Sequence, residues 1–200
     1  MAGAVSASRP PVLLVPGWSD RARALKRLRA FLLAEGWPAV RVLDFADRFG
    51  SNIEHAAELA AAVAEIRASA GRLDVVAHSM GGLAVRHYLA EHPDGGGIRR
   101  VLFLATPHRG TWAAYLAWGR GGREMRPGSA FLRDLERHEL PRAVRAFTVR
   151  TPLDLRVFPP RSAAFPPAED ALVRFVSHQG LLRSRAAFAH VRRCLLEPEA

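Results

Sequence analysis

Residues 73–82, Leu-Asp-Val-Val-Ala-His-Ser-Met-Gly-Gly, decide the fold. An apolar, β-branched run breaks at a serine, and a helical pattern from Met80 to Glu91 begins directly behind it, closed by His92 and Pro93. A chain passes from strand to helix in so few residues only through a sharp turn with a strained apex. The residues two before and two after the apex must then be small, because strand and helix approach closely there. Ala77 and Gly81 meet that demand, and Gly82 allows still closer packing. Ser79 falls at the apex, His78 precedes it, and together Ala77, His78, Ser79 and Gly81 describe a nucleophile elbow. Glycine is usual where Ala77 stands; the departure adds one methyl group.

Outward from this turn, short Val- and Leu-rich runs alternate with segments of helical period, the pattern of a parallel sheet covered on both faces. Six runs read as strands: 12–15, 39–45, 73–77, 100–105, 145–150 and 172–176. Helices are predicted over 21–34, with Leu25, Leu28 and Leu32 on one stripe, and over 53–70, with Ala56, Leu59, Ala60, Val63 and Ile66 on another. Ser51 or Asn52 would cap the second and Gly71 would end it. Two further helices are expected over 131–139 and 183–196. The reading is therefore a single α/β domain over 11–197, of about six mostly parallel strands, behind a flexible N-terminus at 1–10 and without a large cap domain. Two stretches break the rhythm, 110–128 and the proline-rich 151–169. Both begin at carboxyl ends of strands, where open parallel sheets hold their ligands, and both read as walls of a site.

Composition narrows the function. Of 200 residues, 49% are apolar and 24% charged, which excludes a disordered chain. No apolar run approaches the roughly 20 residues that cross a bilayer, and MAGAVSASRP lacks a signal-peptide core, so a cytoplasmic location is expected. The net charge is +10, yet all 29 basic residues except Lys26 are arginine, they are scattered, and no run of five like charges occurs. Nucleic acid is accordingly not expected as a partner. The basic helix carrying Arg21, Arg23, Lys26, Arg27 and Arg29 admits contact with an anionic membrane, though a solvated helix face explains it as well. The single cysteine, Cys194, reads as a helix packing residue. Neither a metal constellation nor a cofactor motif is evident.

A serine hydroxyl needs a base to take its proton, and the base needs a carboxylate to fix its orientation. In chain order Ser, acid, His, three histidines lie well beyond Ser79. His138 and His190 fall on helices, whereas His178 follows the last strand at its carboxyl end and is the expected base. Asp154, just after the strand at 145–150, is the expected acid. Glu169 and Asp170 fall at the amino end of the last strand, and Asp74 begins a strand and reads as structural. The oxyanion formed in acyl transfer needs backbone N–H donors already in place. Met80 N–H follows the nucleophile, and Trp18 N–H in Val15-Pro-Gly-Trp-Ser-Asp20 is the second candidate. His108, in Thr106-Pro-His-Arg-Gly-Thr111, reads as loop structure or substrate wall. Trp112, Tyr115 and Trp118 are candidates for an apolar pocket rim or small lid, with core packing as the alternative.

These segments resemble the minimal α/β-hydrolase lipases and esterases, the small bacterial enzymes of the lipase class 2 type, whose elbow also reads Ala-His-Ser-Met-Gly-Gly. The resemblance runs through VPGW, LDFADRFGSN, the elbow, LATPHRGT, MRPGSAFL, the Asp154 loop and His178-Gln-Gly-Leu-Leu. It implies a nucleophile, acid and base at Ser79, Asp154 and His178, and oxyanion donors at Trp18 and Met80. Pro16 departs from the histidine that many relatives carry before the glycine, and the secretory signal of typical relatives is absent. The implied activity is hydrolysis of a small-molecule or lipid ester without a cofactor. The same residues would serve a thioesterase or an acyltransferase, and an idle binding module is the alternative of another class. Oligomeric state is not readable from the sequence.

Overall fold

The computed structural model describes residues 9–198, so most of the expected flexible N-terminus lies outside the described residues. Six strands form one sheet: β1 (Val12–Val15), β2 (Val40–Val42), β3 (Leu73–His78), β4 (Ile98–Leu104), β5 (Arg145–Arg150) and β6 (Glu169–Leu172). Their order is β2-β1-β3-β4-β5-β6, and every neighbouring pair is parallel.

Alternation along the strands sorts side chains onto two faces. Val12, Leu14, Val76, Leu102, Leu104 and Phe147 point to one face, where α1 (Lys26–Ala34) brings Leu28 and Leu32 and α6 (Arg185–Leu196) brings Phe188 and Val191. Leu13, Val15, Val75, Ala77, Val101 and Phe103 point to the other, against Leu59 and Val63 of α2 (Asn52–Ala70) and Val85 and Leu89 of α3 (Gly81–Glu91). Each such fully buried side chain contributes about 1.5–3 kcal/mol of transfer free energy. The stripes expected on the first two helices are buried, with Ala60 partly so.

Capping explains where α2 starts. Glu54 N–H donates to Ser51 Oγ at 3.1 Å and Ser51 N–H donates to Glu54 Oε2 at 3.0 Å, a reciprocal capping box. Gly71 ends the helix at φ +73°, a conformation that costs glycine little. The helix expected from residue 21 opens instead as a 3-10 turn (Ala22–Leu25).

The last strand lies earlier than the sequence predicts, at Glu169–Leu172 rather than 172–176. It is an edge strand, and edges tolerate charge. Arg145 and Arg150 of β5 pair across to Glu169 and Asp170, each at 2.7 Å. Phe175, within the apolar run that suggested a strand, sits at φ +60° and is 89% exposed. Asp74 is buried in β3 and ion-paired to Arg99 at 2.6 Å, which fits a structural role.

Between β4 and β5 the chain forms short elements: a 3-10 turn (Trp112–Tyr115), α4 (Gly119–Glu124) and α5 (Ala130–Leu135). The helix expected at 131–139 is thus shorter, ending before His138. Met80, Leu83, Ala114, Met125, Leu132 and Leu135 form a third apolar cluster that seats these elements against the elbow and α3. Cys194 is buried in α6, and burial pushes its thiol up to about 11, so it is unreactive at neutral pH. Among the described residues, no helix is long and apolar enough to cross a membrane.

Candidate active site

Strands β1 and β3 are neighbours from which the chain winds off in opposite directions across the sheet, and a crevice opens beyond their carboxyl ends. Ser79 stands on that crevice. It adopts φ +52°, a left-handed conformation that costs a non-glycine residue about 1–3 kcal/mol. Ser79 N–H donates to Leu104 O at 2.8 Å, which ties the turn to β4. The need for small neighbours is literal. A Cβ on Gly81 would stand 2.2 Å from Pro16 O, and one on Gly82 would stand 2.0 Å from Thr106 Oγ1.

The loop after β1 folds over the elbow. Among the described residues, neither Trp18 N–H nor Met80 N–H is donated to a protein acceptor, so the two expected oxyanion donors are both free. The Trp18 indole N–H donates to Trp118 O at 3.2 Å, and its ring meets those of Phe49 and Trp118 edge-on at 5.4 and 5.3 Å. Those contacts hold the loop in place.

Asp154 and His178 arrive from the loops after β5 and β6. Their side chains are 1% and 4% exposed, and His178 Nδ1 lies 2.8 Å from Asp154 Oδ2. The other carboxylate oxygen accepts the N–H groups of Arg156 at 2.9 Å and Val157 at 2.7 Å, so the carboxylate cannot swing away. Burial lowers the His178 pKa below the ordinary 6.5 against the opposing hydrogen bond to Asp154, and the charges of His78 and Arg156 lower it further. The imidazole is therefore neutral at pH 7, with its Nε2 edge turned from Asp154.

Ser79 and His178 line one cavity of about 330 Å3 with Trp18, Asp20, Trp118, Met125, Arg156 and Gln179. That volume suits a small ligand or a short acyl chain. Of the three expected rim aromatics only Trp118 lines it. Trp112 and Tyr115 stack on each other at 5.6 Å and are 57% and 51% exposed. The cause is the 3-10 turn, which presents Ala113 and Ala114 to the cavity and sends the large rings outward. Core packing is excluded for all three, since Trp118 is also exposed. His108 is not a wall of this cavity. It is buried, stacked on Phe165 at 4.4 Å, and belongs to a separate, larger cavity of about 670 Å3 with Arg86 and Phe165.

Asp20 and Gln179 escaped sequence reasoning. Asp20 Oδ2 lies 3.2 Å from His78 Nδ1, and Gln179 Nε2 donates to Asp20 Oδ1 at 3.2 Å. The ring of His78 is 4.6 Å from that of His178. Asp20 thus links the first loop to the residue beside His178 and the residue before Ser79. Adjacency in Trp-Ser-Asp20 and in His178-Gln was visible, but not the meeting of residues so far apart. His138, by contrast, is exposed beyond the end of α5, with Nδ1 3.0 Å from Asp134 O, and His190 sits partly exposed on α6. Among the described residues, no group of three or more His, Cys, Asp or Glu side chains is placed to hold a metal ion.

Residues 12–197, which hold the whole sheet and the strained serine after its third strand, match one family model. The chain belongs to the alpha/beta hydrolase family. Solved members show how far the fold extends. A lipase from Bacillus licheniformis in its mature form superposes with a TM-score of 0.82 at 19% identity, covering 94% of this chain and 93% of that one. Phospholipase PlaB from Legionella pneumophila gives 0.79 at 15% identity, over 94% of this chain and 58% of its own. A deformylase from Pseudomonas putida gives 0.65 at 14% identity, over 90% of both. This α/β-hydrolase chain therefore shares its fold with proteins that act on different bonds, and the reaction must be argued from its own site.

Proposed function

We propose that this α/β hydrolase cleaves carboxylic esters through an acyl-enzyme. Ser79 Oγ attacks the carbonyl carbon while His178 Nε2 takes its proton, and Asp154 holds the resulting imidazolium. The carbonyl oxygen, now an anion, accepts the N–H groups of Trp18 and Met80. The bond from carbon to the leaving oxygen breaks as His178 returns the proton to that oxygen. Water then attacks the acyl-serine with His178 as base, releasing the acid and restoring Ser79.

One observation carries the reading: a buried histidine hydrogen-bonded at 2.8 Å to a fixed carboxylate shares a cavity with a strained serine. The free N–H groups of Trp18 and Met80 support it, and so do the lipase and phospholipase among the solved neighbours. Such donors supply about 2.7–4 kcal/mol of transition-state stabilisation each. An apolar cavity walled by Ala113, Ala114, Leu116 and Met125 fits the acyl chain.

The test is a fluorophosphonate probe, whose phosphorus bonds Ser79 Oγ with loss of fluoride, together with nitrophenyl esters of graded acyl length. Labelling located at Ser79 by peptide mass, with ester turnover lost in Ser79→Ala and His178→Ala, is the expected result. A folded sample that is neither labelled nor turns over any ester above the Ser79→Ala background overturns the proposal and leaves the binding module as the reading.

A further inference from the structure

A second cavity, of about 410 Å3, adjoins the one at Ser79, with Ser19, Asp20, Arg156 and Gln179 as their common wall. The two linings differ in kind. The first is largely apolar, whereas the second is lined by Arg21, Arg23, Lys26, Arg48, Arg156 and Arg183. Asp20 is the one acidic side chain in that lining, and its oxygens already serve His78 and Gln179. Elsewhere Arg41, Arg120, Arg145, Arg150 and Arg192 each pair with a carboxylate. Among the described residues, none of the six cations of the cleft makes an ion pair.

Six like charges around one concavity repel, and salt, with a Debye length of about 8 Å, screens them only in part. A solvated helix face would explain Arg21, Arg23 and Lys26 alone. It does not explain why Arg48, Arg156 and Arg183 converge on them from three other loops. Their common feature is the cavity. Guanidinium forks match phosphate oxygens in bidentate fashion, and a concave basic wall concentrates anions. Arg156 ties this cleft to the chemistry: its backbone N–H is held by Asp154 Oδ1 at 2.9 Å, and its side chain lines both cavities.

We propose that the basic cleft binds a phosphate on the leaving group of the substrate, while the acyl chain occupies the apolar cavity at Ser79. The enzyme would thus prefer acyl esters or thioesters whose alcohol or thiol part is phosphorylated. The inference rests on the ester-hydrolase reading of Ser79. Two sources share this chemistry, a glycerophospholipid headgroup and a phosphopantetheine thiol such as coenzyme A.

Two matched pairs separate the sources: acyl-coenzyme A against the same acyl group on N-acetylcysteamine, and a lysophosphatidylglycerol against the monoacylglycerol of equal chain. In at least one pair kcat/KM should favour the phosphorylated member by about tenfold or more at low salt, and the pair that shows it names the source. The preference should collapse near 1 M salt, where the Debye length is about 3 Å. It should also collapse in Arg23→Gln/Arg183→Gln and in Arg156→Gln. A ratio near one in both pairs, or a ratio that survives these substitutions, overturns the proposal. A titration of Ser79→Ala with inorganic pyrophosphate reads the cleft without turnover. Saturable binding, weakened by Arg23→Gln/Arg183→Gln, supports the cleft even if no ester is hydrolysed, in which case only the ester-hydrolase reading fails. Absence of saturable binding overturns the cleft however active the enzyme is.

Discussion

Gly17→Ala tests whether the loop after β1 supplies an oxyanion donor. A Cβ at position 17 would stand 2.9 Å from Ser79 Cβ and 3.2 Å from both His78 Nδ1 and His78 O. Carbon atoms in ordinary contact are about 3.5–4.0 Å apart, so the loop must retreat from the elbow by roughly 0.6–1 Å. Trp18 N–H travels with it. A donor moved that far from an ideal position about 2.9 Å from the oxyanion passes about 3.5 Å, beyond useful hydrogen bonding. Loss of one donor costs about 2.7–4 kcal/mol, or about 10²- to 10³-fold in kcat. Gly17 is not in the left-handed region, so alanine meets no backbone penalty there. Overpacking should cost only about 1–3 kcal/mol of stability. Steady-state hydrolysis of the preferred nitrophenyl ester, beside a thermal melt, should show the fall in kcat with KM changed little and the fold retained. A folded Gly17→Ala protein with kcat within a few-fold of the parent would refute the placement of Trp18.

In Asp154→Asn the oxygen held by Arg156 and Val157 can remain, but an amide NH2 would face His178 Nδ1 and impose the wrong tautomer. kcat should fall by about 10⁴-fold with little change in the melt, and a loss under tenfold would remove Asp154 from the mechanism. Since the His178 pKa is depressed, the acid limb of kcat/KM should have its midpoint below pH 6.5, as read from a pH profile. Stability should also fall with acid. Burial holds His178 below 6.5 and His108 well below it, so the unfolded chain binds more protons, and each contributes a loss of up to about 1.4 kcal/mol per pH unit below about 6.5 until its folded pKa is reached. Denaturant melts at two pH values would show this, and His108→Phe should flatten the slope. Ser51→Ala removes one arm of the capping box and should cost about 1 kcal/mol of stability in a denaturant melt while leaving kcat unchanged.

The elbow was readable because its steric demand is local: small residues around a serine, between a strand pattern and a helix pattern. Strands β1 and β5 were readable to the residue, since VLLV is an unbroken apolar run between Pro11 and Pro16 and RAFTVR sets an apolar and β-branched run between two arginines. β6 was misplaced because an edge strand is stabilised by cross-strand pairs to Arg145 and Arg150, which carry no apolar period, while Val173 and Val176 beyond it reach the core from a loop in which Phe175 turns outward. α4 was missed for a similar reason. Its sequence, Gly-Arg-Gly-Gly-Arg-Glu, opposes helix formation, and the helix exists because Gly121 and Gly122 fit where larger residues would strike Met80 and Ala117. The outward turn of Trp112 and Tyr115 likewise depends on a 3-10 geometry that helical spacing does not anticipate. Asp20, Gln179 and Arg156 meet only through the tertiary fold, so no spacing rule could have joined them.

The separation of Ser79 from Asp154 and His178 along the chain has a consequence for the birth of the protein. During synthesis the elbow and the strands on either side of it emerge first, and the β1–β3 and β3–β4 ladders need nothing downstream to form. The proposed acid and base, Asp154 and His178, ride on loops after β5 and β6, the last strands to be made and so the last to join the sheet. A nascent or truncated chain would thus carry a serine with no means of losing its proton. On the proposed mechanism, reactivity is switched on by completion of the sheet, and a half-made copy stays chemically silent in the cell that makes it.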